Sequence, residues 1–195
     1  MPLGSLTLAL LLFQGPGNGW AMQPGTREVK RLYWELFETT EVWLRLIPED
    51  PDGKPPLVNL VFQAFFPGRA ERDPYTGLPR EPKGPPARIV LQAQPLPLTM
   101  IRELTLRLVI DGKTIDLTAP ASHYRLLGCL GASDDCAQNA VEADLEPSTL
   151  RSLVAATTVR GEALGFPIKL TDADRAALAE FATRIGVSEG NGAKK

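Results

Sequence analysis

A chain of 195 residues, 44% apolar and 23% charged, has the material for one hydrophobic core and is short for two. Its formal charge of −2, with both signs interspersed, offers no basic face to nucleic acid and no polybasic patch to a membrane surface, so neither is expected as a partner. Of the 18 prolines, 12 lie in the window from Pro48 to Pro97. That window is read as extended edges and loops, because proline cannot donate to a sheet ladder or sit inside a helix.

The N-terminus reads as a targeting segment. Leu6 to Phe13 is an uncharged apolar run of signal-peptide length, followed by the helix-breaking Gly15-Pro16-Gly17 and by Gly19-Trp20-Ala21, a small-residue cleavage site after Ala21. The run is too short to span a bilayer. A signal peptide over residues 1–21 is expected, with a single mature domain over 22–187, a periplasmic or secreted location, and no integral membrane span after cleavage. The alternative is a buried N-terminal segment retained in the fold, since no Lys or Arg precedes the run.

From Glu28 to Phe37 two periods compete. Val29, Leu32, Tyr33, Leu36 and Phe37 sit at helical spacing, while Leu32, Trp34 and Leu36 alternate as in a strand, and both readings stay open. Glu41 to Ile47 is a strand ended by Pro48. Leu57 to Phe66 is apolar at almost every position, which predicts a central strand buried on both faces. Pro67 to Pro86 is a long irregular excursion rich in Pro and Gly, and Ala87 to Gln94 returns to a strand.

Arg102 to Thr118 organises the rest of the chain. Leu104, Leu106, Leu108 and Ile110 share one face, with Glu103, Thr105 and Arg107 on the other. Asp111-Gly112 supplies the positive φ angles of a tight primed turn, and Ile115 and Leu117 resume the alternation. A β-hairpin with one buried face is expected.

In the last third, Val141 to Leu145 reads as a short strand, and Glu146-Pro147-Ser148 opens a helix with proline in its tolerated first turn. Val159 to Leu164 and Phe166 to Leu170 are two strands joined near Gly165. Thr171 caps a second helix whose first turn carries Asp172 and Asp174, whose apolar stripe is Leu178, Phe181, Ala182 and Ile185, and which Gly186 ends. Residues 188–195 are expected as a disordered tail. The fold class is mainly β (α+β): an antiparallel β-sandwich with one or two packed helices in the C-terminal third.

Candidate chemistry is sparse. Cys129 and Cys136 flank a Gly/Ser/Asp turn, and in an exported chain they read as a local disulfide; two reduced thiols are the alternative. Zinc would need two further ligands that one histidine cannot provide, so no metal and no cofactor is expected. His123 lies beside Ser122, but neighbours on an extended chain point to opposite faces, and no Gly-x-Ser-x-Gly elbow occurs. Asp50 and Asp52 before Gly53 start like a calcium loop but lack its later ligands, and Asp134-Asp135 reads as a solvated turn. Trp34, Trp43, Tyr33, Phe62, Phe65 and Phe66 read as core in preference to a pocket lining. If the protein binds a partner, the expected contact is the Pro67 to Pro86 loop, through Arg69, Arg72, Tyr75 and Arg80, because Arg and Tyr are what interfaces favour.

Leu150-Arg151-Ser152-Leu153 through Gly161 and Phe166-Pro167-Ile168-Lys169-Leu170, followed by a helix with Leu178 and Phe181, resembles the C-terminal pattern of exported bacterial β-sandwich proteins of the invasion-associated locus B type. The resemblance covers about 40 residues and implies an envelope location, a non-enzymatic role and no catalytic residues to carry over. The reading is therefore an exported bacterial protein, a binding or envelope-interaction module with a possible protein partner in the cell envelope. The alternatives are a small hydrolase using His123 and a structural subunit of an envelope assembly.

Overall fold

The computed structural model describes residues 26–34, 37–69, 71, 74–75, 82, 84–96, 102–117, 124–127 and 138–187. The leader over 1–21, Arg72, Arg80, His123, Cys129, Asp134, Asp135, Cys136 and the tail over 188–195 lie outside the described residues. In chain order the elements are β1 (Val29–Trp34), β2 (Thr39–Leu46), β3 (Val58–Pro67), β4 (Arg88–Pro95), β5 (Leu106–Ile110), β6 (Lys113–Asp116), β7 (Tyr124–Leu127), β8 (Gln138–Asp144), α1 (Pro147–Ala155), β9 (Val159–Ala163), β10 (Phe166–Lys169) and α2 (Asp172–Arg184). They form two antiparallel sheets, six-stranded in the order β1-β2-β3-β4-β8-β7 and four-stranded in the order β10-β9-β5-β6, with both helices in the C-terminal part. This is the expected α+β, sandwich-like architecture.

The competition over residues 28–37 is settled as strand for Val29–Trp34, where Val29 pairs with Leu44 and Tyr33 with Thr40; Phe37 sits in the turn that follows, and Leu36 lies outside the described residues. β3 occupies the centre of its sheet, with β2 on one side and β4 on the other, and every residue from Val58 to Ala64 is buried. Phe62 lies between Leu44 and Leu91, and Leu60 between Leu46 and Ala93. These inward side chains join Leu106, Leu108 and Ile168 of the four-stranded sheet, and Leu150, Leu153, Leu178 and Phe181 of the helices, in one apolar cluster. Each such side chain contributes about 1.5–3 kcal/mol of transfer free energy. The Phe62 and Phe181 rings meet at a centroid distance of 6.1 Å, tilted by 56°.

The hairpin forms as expected from Leu106 onward. Asp111 and Gly112 have φ of 46° and 85°, the paired positive angles of a type I′ turn, and Leu108 faces Ile115. Leu104 departs from the expected alternation and is 38% exposed. Its neighbours Arg102 and Glu103 turn their amides to the carbonyl of Leu164, so the strand begins only at Leu106. A second primed turn, Leu164-Gly165 with φ of 57° and 78°, joins β9 to β10. The two sheets are also stitched where the chain leaves β2, through reciprocal backbone hydrogen bonds between Glu49 and Lys169.

Two strand boundaries were harder to see in the sequence. β8 begins at Gln138, before the apolar Val141, and β7, a partner of β8 alone, was not anticipated. α2 starts at the Thr171 cap and closes a capping box with Asp174, and Gly186, at φ 71°, follows its last turn.

Candidate binding face

Alternation along β3 sends Leu60 and Phe62 into the core and Asn59, Val61, Gln63 and Phe65 to the other face of the six-stranded sheet. The register sets Asn59 opposite Gln94, Val61 between Arg45 and Gln92, Gln63 between Trp43 and Val90, and Phe65 between Glu41 and Arg88. β8 adds Glu142 beside Gln92, and β1 adds Trp34 opposite Thr39. None of these residues belongs to the apolar cluster that unites the two sheets and the helices. Even so, Val61 and Val90 are fully buried, and Asn59, Gln63, Gln92 and Gln94 are all at most 5% exposed.

The outer face of the four-stranded sheet is built differently. Arg107, Thr114, Asp116, Arg160, Pro167 and Lys169 are exposed there, a solvated surface with mixed charge. One sheet thus turns charge to water, whereas the other carries four amides, two tryptophans and a phenylalanine among Glu41, Arg45, Arg88 and Glu142, on a face whose centre is buried.

A hydrogen-bonded relay crosses the amide face. Gln94 Nε2 donates to Gln92 Oε1 at 2.9 Å, Gln92 Nε2 donates to Glu142 Oε2 at 2.8 Å, and Arg88 Nη2 donates to Glu142 Oε1 at 2.9 Å. Arg88 Nε completes the line at Asp144. Desolvation opposes the charge on Arg88, but the hydrogen bonds and the negative charges of Asp144 and Glu142 outweigh it and raise the guanidinium pKa above its ordinary value. Trp43 Nε1 donates to Glu41 Oε2 at 2.6 Å. Among the described residues, Asn59 Oδ1, Gln63 Oε1 and Gln94 Oε1 accept from no donor, and Trp34 Nε1 finds no acceptor, although all four atoms are buried.

Of the residues singled out from the loop, Arg69 is placed at one end of this sheet, and Arg72 and Arg80 lie outside the described residues. Gly68 N donates to Glu38 O at 2.6 Å and Thr40 Oγ1 donates to Gly68 O at 2.8 Å, which ties the start of the loop to the β1–β2 turn. Arg69 follows, its guanidinium 5.1 Å from the centre of the Tyr33 ring. Tyr75 is 94% exposed. Phe37, in the β1–β2 turn, is also largely exposed; sequence reading missed it because it fitted the helical pattern of its segment. The aromatics divide between environments: Phe62 and Phe66 are core, whereas Trp34, Trp43 and Phe65 are half-buried on the amide face. The Asp50–Lys54 loop consumes its own carboxylates, since Asp50 Oδ1 accepts from Asp52 N and Asp52 Oδ2 from Lys54 Nζ. Among the described residues no group of three or more His, Cys, Asp or Glu is placed to hold a metal, and no helix is long and apolar enough to cross a membrane.

No protein-family model, curated protein or solved structure matches this chain.

Proposed function

We propose that this chain is a non-enzymatic binding module, exported to the periplasm or beyond, that holds a partner or ligand against the outer face of its six-stranded sheet. The observation that carries the reading is the contrast between the two outer faces. A surface meant for water carries charge, as Arg107, Arg160 and Lys169 do on the smaller sheet, whereas buried amides without partners are costly unless something satisfies them. Arg69, held over the Tyr33 ring beside the β1–β2 turn, adds a further contact at the end of that sheet, and Arg72, Tyr75 and Arg80 of the same loop are proposed to extend it. The apolar leader and the pair Cys129 and Cys136 support an oxidising compartment, and the resemblance in the last third supports the cell envelope.

Site-specific photo-crosslinking tests this reading. A benzophenone side chain at Phe65 is expected to capture a partner or ligand in native envelopes, and the same group at Val109, on the outer face of the smaller sheet, is expected to capture none. Equal capture from both positions, or none from Phe65, would place the site elsewhere.

A further inference from the structure

We propose that this chain's own N-terminus closes the outer face of the six-stranded sheet until the leader is removed, with the apolar run Leu6 to Phe13 laid over it, and that cleavage after Ala21 opens it. The proposal rests on the reading of this face as the binding surface and of residues 1–21 as the leader. Val61 and Val90 carry it. Both are fully buried, yet of the described buried apolar residues they alone stand outside the cluster that unites the two sheets and the helices. The four-stranded sheet and both helices lie against the inner face through that cluster, so the cover of the outer face comes from elsewhere in the chain.

Charge selects the segment. On the face, Glu41, Arg45, Arg88, Glu142 and Asp144 all have partners, so the cover need bring no charge. Residues 1–25 carry no Asp, Glu, Lys, Arg or His. The excursion over 70–83 carries Glu71, Arg72, Asp73, Arg80, Glu81 and Lys83, and 128–137 carries Asp134 and Asp135. A charge set against Val61 and Val90 would lose its water without gaining a partner. The stretches 97–101 and 118–123 are short and join one sheet to the other.

The path of the chain agrees. β1 starts at Val29, opposite Leu44, and the next place along β2, beside Arg45, is taken by Thr26 in a parallel bridge. Arg27, at φ 63°, turns the chain between the two directions, and its amide donates to the Arg45 carbonyl at 2.8 Å. Residues before Thr26 thus depart from the line of β1 and arrive at Arg45, the first of the row Arg45, Val61, Gln92, Glu142 that crosses the buried centre of the face. That row spans three strand spacings, about 14 Å, and an eight-residue run coiled as a helix is about 12 Å long. The stretch from Gln14 to Gly25, with Gly15, Gly17 and Gly19 in it, is long enough to carry the run back over the row.

An apolar cover also accounts for the amides. Asn59 Oδ1, Gln63 Oε1 and Gln94 Oε1 are buried and accept from no donor among the described residues. Leucine side chains keep water away and donate nothing, so these oxygens stay unsatisfied while the run is in place. Withdrawing it hydrates them, which favours the open face once the leader is cut from the chain.

The test begins with the full chain, leader retained, carrying a benzophenone side chain at Trp43 or at Phe65. After irradiation and digestion, the crosslink is expected to join either position to a peptide within residues 1–25; a crosslink to another segment, or none, overturns the proposal. Hydroxyl-radical footprinting gives a second reading. With Leu10→Gln and Leu11→Gln in the run, oxidation of Trp43 and Phe65 is expected to rise several-fold while that of Phe62, in the core, stays unchanged. Equal oxidation with and without the two substitutions overturns the cover, and so does a matching rise at Phe62, which would make the run part of the core. Mature protein recovered from native envelopes is expected to begin after Ala21 and to show the raised oxidation, and a retained leader overturns the opening step. Partner capture from Phe65 in envelopes, without a crosslink to residues 1–25 in the full chain, overturns this proposal and leaves the binding-face reading standing. The crosslink without any capture upholds the cover and removes the binding-face reading.

Discussion

The carboxylate of Asp174, fully buried in the first turn of α2, receives the Arg27 guanidinium at 2.7 Å across 147 positions of sequence. The same carboxylate accepts from Thr171 N at 2.9 Å and Thr171 Oγ1 at 2.8 Å, so one acid both closes the helix cap and holds the chain just before β1. Removing one partner of a buried pair leaves an uncompensated charge, which costs more than the pair itself contributes. Arg27 is 41% exposed, so solvent screens part of that loss. Arg27→Ala is expected to lower unfolding free energy by about 1–3 kcal/mol in urea titrations. The double variant with Asp174→Asn should lose less than the sum of the two single changes; strict additivity would show that the pair is not coupled.

Asp111 links the β5–β6 turn to the segment after α1. Its carboxylate accepts from the backbone amide and hydroxyl of both Thr158 and Thr157, and its own amide donates to Thr158 O. The Thr158 backbone hydrogen bond, followed by the Thr157 hydroxyl, holds its pKa below the ordinary value of 3.8. A carboxylate whose folded-state pKa is depressed stabilises the fold above its unfolded-state pKa, and that stability is lost as pH falls through the folded value. Urea midpoints of wild type and Asp111→Ala, measured from neutral pH downward, should therefore differ most at neutral pH and converge below about pH 4. A gap that stays constant into acid would mean that Asp111 acts through turn geometry alone.

The parts of the fold legible in the sequence are those set by neighbours a few residues apart. Leu106, Leu108 and Ile110 alternate, Asp111-Gly112 forms the turn, and Thr171 with Asp174 marks a helix start, so each was readable from a short window. Leu104 failed the same rule because Leu164, sixty positions on, draws the backbone of Arg102 and Glu103 out of the ladder. Arg27 carries no local sign that it meets Asp174. The insertion of β8 between β4 and β7 is likewise a long-range pairing that no short window encodes. The amide face was present as a signal: Asn59 and Gln63 interrupt an otherwise apolar strand at even spacing, and Gln92 and Gln94 do so on the next. Weighing residues 57–66 by their near-continuous apolarity passes over the two amides, and it takes the cross-strand register to show that these amides share one surface.

Gly161 is required by the close approach of β9 to β5. A β-carbon there would sit 2.1 Å from the backbone carbonyl oxygen of Arg107, which cannot swing aside as a side-chain tip would. Gly161→Ala is expected to cost about 3 kcal/mol or more, at the upper end for inserting a single methyl into packed structure. Gly53→Ala, where nothing lies within 4 Å but φ is +76°, should cost only about 1–2 kcal/mol. Thermal unfolding of the two variants side by side checks the order, and a Gly161→Ala protein as stable as the wild type would contradict the packing of these strands.

Cys129 and Cys136 are expected to be bridged in protein recovered from an oxidising compartment. Closing so short a loop should stabilise by about 2.5 kcal/mol on the chain-entropy account. Intact mass before and after reduction and alkylation decides it, and two alkylated thiols in the unreduced sample would exclude the bridge.

Phe62 and Gln63 are adjacent on β3 and face opposite ways, so they separate the core from the proposed binding surface. Phe62 is fully buried against Phe181, and deleting its ring opens a cavity in the apolar cluster. Phe62→Ala should therefore lose about 3–5 kcal/mol, as should Phe181→Ala. The double variant should lose less than the sum, because both changes empty the same contact. Gln63→Leu replaces an amide whose oxygen has no donor with an apolar group of similar volume, so it should leave stability unchanged or slightly raised while weakening ligand binding. Chemical denaturation of the four variants reads the first effect, and photo-crosslinking from Phe65 with and without Gln63→Leu reads the second. A Gln63→Leu protein destabilised as severely as Phe62→Ala would show that the amide face is structural.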